Sequence, residues 1–122
     1  MSMEDYILEM ITASQEKFEI KLLRAIAPLT TFEIIKKLPL KATLLVYKGK
    51  IYIPIEINIK GEKTLNKALK GDVTYSSINK AIIIHLEEES VKSETKIGVA
   101  LNIENLGKIK SGTSILLRRK EY

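Results

Sequence analysis

The sequence contains one histidine, His85, which lies in the apolar run Ile82–Leu86. This setting favours a histidine near the end of a strand rather than a catalytic or metal-ligating one. A metal site here would need carboxylates for all its other ligands, and none stands beside His85 at a ligand spacing. If the chain is an enzyme, we expect Tyr75 or His85 at the mouth of the fold to be its acid–base group.

Other catalytic and cofactor-binding patterns are missing. Ser76 and Ser77 lack the glycine elbow that exposes a serine nucleophile. The absence of cysteine excludes disulfide scaffolds, thiolate metal sites and cysteine nucleophiles. No phosphate-cradling G-x-x-x-x-G-K-[ST] loop occurs, and the glycines are isolated. We therefore expect neither a metal nor a cofactor.

Three tyrosines, Tyr47, Tyr52 and Tyr75, could line the mouth of a β-barrel, since a tyrosine combines ring area with a polar tip. In a barrel the same residues are also ordinary packing residues. Asp72 precedes the strand that carries Tyr75, and we expect its side chain to cap a turn.

The formal net charge of +5 raises the possibility of nucleic-acid binding. Almost all of this charge is lysine, which lacks the bidentate fork that arginine offers to guanine and phosphate. The lysines are also interleaved with glutamate, so a nucleic-acid module remains an alternative and is not favoured. Its contact residues would be Lys50, Lys60, Lys63, Lys67, Lys70 and the Arg118–Lys120 tail. A surface rich in Lys, Glu and Ile is typical of thermophiles or of AT-rich genomes.

The length of 122 residues indicates one domain, residues 1–122, with enough chain to bury a real core. No apolar run reaches the roughly 20 residues of a membrane helix, and the start MSMEDY is acidic rather than a basic signal-peptide flank. We expect a cytoplasmic domain with no membrane partner.

Alternation with period two dominates the chain and predicts strands. Isoleucine occupies every odd position from Ile51 to Ile59, which puts five isoleucines on one face of a half-buried strand. Pro54 removes one ladder donor and predicts a sheet edge, which makes homo-oligomers possible. The other predicted strands are Tyr6–Thr12, Phe18–Leu22, Ala42–Tyr47, Val73–Tyr75, Ala81–Leu86, Ile97–Ile103 and Thr113–Arg119.

Turns and one loop separate these strands. Residues 13–16 predict a hairpin connection and Lys48-Gly49-Lys50 a tight turn. Further turns are expected at residues 60–62, 70–72 and 110–112. The acidic run Glu87-Glu88-Glu89 predicts a solvated loop that reaches Lys96, because consecutive carboxylates repel and hydrate.

One segment, residues 28–38, is predicted to be helical and ends before Pro39. It begins either with a Thr30–Glu33 capping box or with Pro28 as the first helical residue. The predicted core-facing stripe is Leu29, Phe32, Ile34, Ile35 and Leu38. A short helical turn is expected at residues 103–109. The chain thus predicts a mainly β domain that closes as a barrel to hide its strand edges.

The order of these segments resembles the small prokaryotic cyclophilin-like family of uncharacterised function. The resemblance rests on Ala27-Pro28-Leu29-Thr30 at the helix start, on the segment from Gly71 to Tyr75, and on Ile109–Thr113 before the last strand. It covers nearly the whole chain from Lys17 onward. It implies a closed β-barrel with one helix capping an end.

Cyclophilins isomerise X-Pro bonds with an arginine that follows the first helix. The corresponding segment here, residues 40–53, holds Lys48 and Lys50 but no arginine, histidine or phenylalanine. After Tyr75, moreover, the family's tryptophan and two prolines are replaced by Ser76, Ser77 and Ile78. The resemblance therefore implies neither isomerase activity nor the family's tryptophan-lined pocket.

These observations lead to the prediction of a non-catalytic binding domain for a peptide or a small ligand. Its predicted contact residues lie near the hairpin and in the altered segment: Lys50, Tyr52, Tyr75, Ser76 and Asn79. An enzyme of unknown type at the barrel mouth and the basic nucleic-acid module are the alternatives.

Overall fold

The computed structural model describes residues 5–59 and 62–120. Its elements follow in chain order: β1 (Tyr6–Thr12), β2 (Lys17–Leu22), α1 (Pro28–Lys36), β3 (Leu40–Thr43), β4 (Leu45–Tyr47), β5 (Lys50–Pro54), β6 (Leu65–Ala68), β7 (Asp72–Ser76), β8 (Ala81–His85), β9 (Glu89–Ala100), α2 (Ile103–Leu106) and β10 (Ser114–Arg119). The predicted mainly β fold is confirmed. No helix in the described part of the chain has the length and apolar character to cross a bilayer.

One antiparallel sheet contains all the strands, in the order β3-β10-β1-β2-β9-β7-β8-β5-β4, and β6 pairs with β9 off this path. The two end strands, β3 and β4, are consecutive in the chain and are separated only by Leu44. The sheet must therefore curl until its ends meet at this residue. Among the described residues no ladder joins these two end strands, so the sheet is not a hydrogen-bonded barrel and its ends are linked by the covalent chain at Leu44.

The inner face of the curled sheet holds the core. The predicted isoleucine alternation is confirmed at Ile51, Ile53 and Ile55, which are buried, while Ile57 packs partly against the same cluster. The strand itself ends at Pro54, and β5 is not the predicted edge. It pairs with β8 along its length and with β4 through residues 50–52, so Pro54 lies just beyond the last β4 partner.

The predicted solvated loop at 87–96 is wrong, because residues 89–100 form the longest strand. The first part of β9 pairs with β6, a strand that the sequence did not predict, and its second part pairs with β7 and β2. Ser93 has a positive φ of 56° between these two parts. This local left-handed residue allows β9 to change direction and to keep partners along both parts.

Helix α1 begins at Pro28, which confirms the second predicted start and not the Thr30–Glu33 capping box. The backbone N–H and hydroxyl of Thr30 instead both donate to Oε1 of Glu62, at 2.6 Å each. The predicted core stripe holds for Ile34, which is buried, and for Ile35 and Leu38, which pack partly against the core, but Leu29 and Phe32 are 59% and 58% exposed. The helix is therefore turned so that its threonines, rather than these two side chains, face the sheet.

The remaining turns follow the predictions, with the helical turn shortened to Ile103–Leu106. The carboxylate of Asp72 accepts the N–H of Leu69 at 2.9 Å, as expected of a turn cap. Residues 60 and 61 of the predicted turn at 60–62 lie outside the described residues, and so does Lys60 of the basic set.

Candidate functional site

The five predicted contact residues do not form a single open site, because Tyr75 lies apart from the other four. Cross-strand pairs share a face of a sheet, and the register places Lys50, Tyr52 and Ser76 on the face away from the core. Tyr75 lies on the core face, where its hydroxyl donates to the carbonyl of Ile55 at 3.2 Å. Tyr75 thus anchors the chain that follows β5.

The hydroxyl of Ser76 is buried and accepts two hydrogen bonds from Asn79, one from its backbone N–H and one from Nδ2, both at 3.1 Å. These bonds hold the β7–β8 turn. Lys50 and Tyr52, by contrast, lie together on β5, with the ammonium 5.8 Å from the centre of the ring. This pair lies beside a further set of polar side chains.

With Lys50, these side chains form a buried polar group around His85, which we call the His85 cluster: Lys50, Thr74, His85, Glu89 and Glu94. Nε2 of His85 lies 2.9 Å from Oε1 of Glu94 and 3.0 Å from the hydroxyl of Thr74. The Thr74 hydroxyl itself donates to the same carboxylate oxygen at 2.6 Å. Because Thr74 and His85 are fully buried and Glu94 is 6% exposed, these bonds form away from bulk water.

The other side of the cluster is a bridge through Glu89. Its carboxylate lies 2.8 Å from the Lys50 ammonium and 3.7 Å from Nδ1 of His85. Nδ1 is buried and, among the described residues, has no hydrogen-bond partner. The cluster therefore joins strands β5, β7, β8 and both parts of β9.

The charges of the cluster shift two pKa values. Burial raises the pKa of the Glu94 carboxyl, but the hydrogen bonds from His85 and Thr74 and the nearby Lys50 charge lower it more, so it lies below its ordinary value. Burial likewise lowers the pKa of Lys50, whereas Glu89 and Tyr52 raise it more, and it lies above its ordinary value. Both groups are thus held in their charged forms.

The geometry of the cluster differs from that of a nucleophile–base–acid triad. In a triad the hydroxyl and the carboxylate bind different nitrogens of the histidine, so that the ring can pass a proton between them. Here Thr74 and Glu94 share Nε2. This arrangement fixes Glu94 as a carboxylate and ties three strands, which is a structural role.

Sequence reasoning missed Glu94 and Thr74 as partners of His85. The register explains the meeting: Thr74 and His85 lie on one face of β7 and β8, and Glu94 is opposite Ser76 on β9. Because residues 87–96 are predicted to be a loop, the sequence does not place Glu94 in a strand beside β7. Among residues 5–59 and 62–120, no group of three or more His, Asp or Glu is placed to hold a metal ion.

An open cleft lies elsewhere, on the outer face of β1, β10 and β3, and we call it the outer-face cleft. Its volume is about 640 Å³. The register aligns Ile11, Leu116 and Lys41 across these strands, with Ile11 and Leu116 as the floor and Lys41 at the rim. The complete lining is Ile11, Thr12, Ala13, Gln15, Lys17, Lys41, Ala42, Thr43, Ser114, Ile115, Leu116 and Arg118.

The outer-face cleft is electrostatically one-sided. Lys17, Lys41 and Arg118 are exposed on it, and none of the described residues that line it is Asp or Glu. Arg118 donates from Nε to the neighbouring Glu9 at 3.1 Å, a bond that does not use its two Nη groups. The site combines an apolar floor with a cationic rim, which suits an anionic ligand with apolar side chains.

Four of the seven described cations of the predicted nucleic-acid set form ion pairs within the protein. The ion pairs are Lys50–Glu89, Lys67–Glu88, Arg118–Glu9 and Lys120–Glu19. A phosphate backbone would have to compete with these carboxylates for those four cations. This pairing gives no support to the nucleic-acid alternative.

Comparisons with known proteins complete the description. The model of the family described as Cyclophilin-like matches residues 8–122. The solution structure of a hypothetical protein from Archaeoglobus fulgidus has a similar fold, with a TM-score of 0.74 and 24% sequence identity, and the alignment covers 95% of each chain. A search of curated proteins finds none that matches. At this identity the similarity shows the fold alone.

Proposed function

Because this chain belongs to the Cyclophilin-like family, we propose that it is a non-catalytic binding domain that holds an extended acidic peptide in the outer-face cleft. A fold alone does not specify a function, so the proposal depends on the site. The observation that carries it is the apolar floor of Ile11 and Leu116 beneath a rim of Lys17, Lys41 and Arg118.

An extended peptide is favoured over a compact ligand by strand β3, which forms one wall of the cleft. Among the described residues β3 forms a ladder only with β10, and its other edge lies near β5, to which no ladder joins it. Such an edge can accept a peptide as an added strand, with main-chain bonds providing affinity and neighbouring pockets providing specificity. Alternating side chains of the peptide would then meet the cleft.

An acidic peptide is favoured by the charge of the rim. Each exposed ion pair with Lys17, Lys41 or Arg118 would stabilise the complex by about 0–1 kcal/mol and would also speed encounter. The affinity should therefore be modest and should weaken with salt.

The experiment is a titration of the ¹⁵N-labelled chain with an acetylated, amidated peptide of about six residues in Glu-Val repeats. We expect amide shifts to cluster at Lys41, Thr43 and Leu116. A matched peptide of Lys-Val repeats should bind at least about tenfold more weakly, because its charges repel the rim.

Two charge reversals provide the variant test. Lys41→Glu should weaken binding of the Glu-Val peptide at least about fivefold. Lys92→Glu makes the same charge change outside the cleft, on the exposed surface of β9, and should leave the affinity unchanged. Equal binding of the two peptides, or shifts confined to other surfaces, would refute the proposed function.

A further inference from the structure

The three arginines of the chain, Arg24, Arg118 and Arg119, lie along one path on the surface. Arg118 and Arg119 are neighbours on β10, so their side chains leave opposite faces of the sheet. Arg118 lines the outer-face cleft. Arg119 is paired with the core residue Leu8 and so projects on the inner side, at the mouth of the curled sheet.

At this mouth, two guanidinium groups lie over one aromatic ring. The guanidinium carbon of Arg119 is 4.5 Å from the centre of the Tyr6 ring, and that of Arg24 is 4.9 Å from it. A guanidinium that stacks by its face still directs its N–H donors outward along its edge, in a fork that fits a carboxylate. The Tyr6 ring thus holds the Arg119 guanidinium in place as an oxyanion-binding group.

An apolar surface adjoins this arginine pair. Leu29 and Phe32, three residues apart on α1, are more than half exposed, and they form a cleft of about 240 Å³ together with Tyr6 and Arg24. Aromatic and arginine side chains around such a patch are the composition of binding hot spots.

A second cleft connects the mouth with the outer face. Its volume is about 430 Å³, and Arg118, Arg119 and Glu9 line it, with Ile35, Leu38 and Pro39 as an apolar wall. It shares Arg118 with the outer-face cleft, and Arg119 contacts Tyr6 of the third cleft. The three clefts therefore follow one another across the rim of the sheet, and we call this succession the groove.

We propose that the peptide-binding site continues along this groove, where Arg119 on the Tyr6 ring binds a carboxylate of the peptide and Leu29 and Phe32 bind an adjacent apolar side chain. This inference rests on the proposed function, whose cleft supplies the first half of the groove. The cationic groups along the path select an acidic polypeptide as the occupant.

The test compares the short Glu-Val peptide with longer peptides. Each longer peptide carries the same repeats and one extension of about eight residues, which is at the amino end in one peptide and at the carboxyl end in the other. The extension contains two aspartates, glycine spacers and a terminal Phe-Asp-Leu. In the ¹⁵N-labelled full chain, we expect one of the longer peptides to add shifts at Leu29 and Phe32. It should also bind about tenfold more tightly than the short peptide, as one buried aromatic anchor suffices to produce.

Phe32→Ala and Arg119→Gln should each remove this gain without changing the affinity for the short peptide. Ile78→Ala, which truncates an apolar side chain exposed to 67% in the β7–β8 turn, is the matched control and should keep the gain. If the short peptide binds but neither extension adds affinity, the groove proposal is overturned while the proposed function stands.

If no peptide binds, both proposals fail. Analytical ultracentrifugation of Phe32→Ala tests another occupant of the same patch. A wild-type dimer that this substitution dissociates would show that a second copy covers Leu29 and Phe32, and it would overturn the groove proposal.

Discussion

Nε2 of His85 lies 2.9 Å from Oε1 of Glu94, and the side chain of neither residue is in appreciable contact with water. The pair joins the end of β8 to the middle of β9, and the Thr74 hydroxyl adds β7 to the same oxygen. A carboxylate placed here without these donors would be costly, because a buried charge needs hydrogen bonds to replace its hydration. The cluster therefore links pH to the stability of the sheet.

Glu94→Gln should destabilise the protein by about 1–3 kcal/mol at pH 7, because it removes charge-assisted hydrogen bonds from a buried site. It should also change how the free energy of unfolding depends on pH in the acid range. The pKa of Glu94 is lower in the folded chain than its ordinary 4.5, so its contribution is present above that pH and is lost as the pH falls through the folded value. Urea unfolding between pH 7 and pH 3 measures both effects.

The matched control for this substitution is Glu88→Gln, which alters an exposed ion pair with Lys67. We expect Glu88→Gln to change the free energy of unfolding by less than about 1 kcal/mol. A wild-type loss of stability below pH 4.5 that persists unaltered in Glu94→Gln would contradict the role assigned to the carboxylate.

Tyr75→Phe should destabilise the protein by about 0.5–1.5 kcal/mol, because the phenol donates to the carbonyl of Ile55 and accepts the N–H of Ile57. Burial raises the pKa of Tyr75 above 10.0. The unfolded chain thus loses this proton first, and stability falls as the pH rises from about 10 through the folded value.

The alkaline fall in stability should therefore be shallower in Tyr75→Phe than in the wild type. Tyr47→Phe, at an exposed tyrosine, is the control and should keep the wild-type slope. Chemical unfolding at pH 9 and pH 11 gives the comparison, and identical slopes in both variants would argue against a buried phenol.

Local patterns predicted the elements whose partners are close in the chain. The alternation in residues 6–12 and the glycine at Gly49 identified strands and a hairpin that the structure confirms, because the signal and the structure span the same few residues. The same reasoning failed at residues 89–96. There, polar side chains pair with β6 and β7, and neither pairing leaves an apolar alternation.

The candidate sites depend more than the secondary structure does on contacts between residues that are distant in the chain. Glu94 reaches His85 through the pairing of β9 with β7, and Thr30 is capped by Glu62 from 32 residues away. The cap lies outside the local pattern, so the three-residue spacing of Leu29 and Phe32 predicts a core stripe that the structure does not have. Lys50 and Tyr52, both predicted contact residues, lie side by side because alternate residues of one strand share a face.

Glu62→Gln should lower the stability by about 1 kcal/mol, because the carboxylate accepts two hydrogen bonds in the first turn of α1. The negative charge also faces the positive end of the helix dipole. Glu33→Gln changes a carboxylate of α1 that pairs with Lys36, and it should cost less. Thermal unfolding of the two variants tests this prediction. A larger loss of stability in Glu33→Gln than in Glu62→Gln would be inconsistent with the long-range cap.

Gly98→Ala should be the most damaging single-methyl substitution in the sheet. A Cβ at Gly98 would lie 2.0 Å from the carbonyl oxygen of Lys21, and both atoms are held by the β2–β9 ladder, so the strands would have to separate. We expect a loss of at least about 2–4 kcal/mol or failure to fold. Gly107→Ala is the control, since its nearest neighbour is at 3.5 Å. Urea unfolding of both variants tests this, and equal stabilities would disprove the close approach.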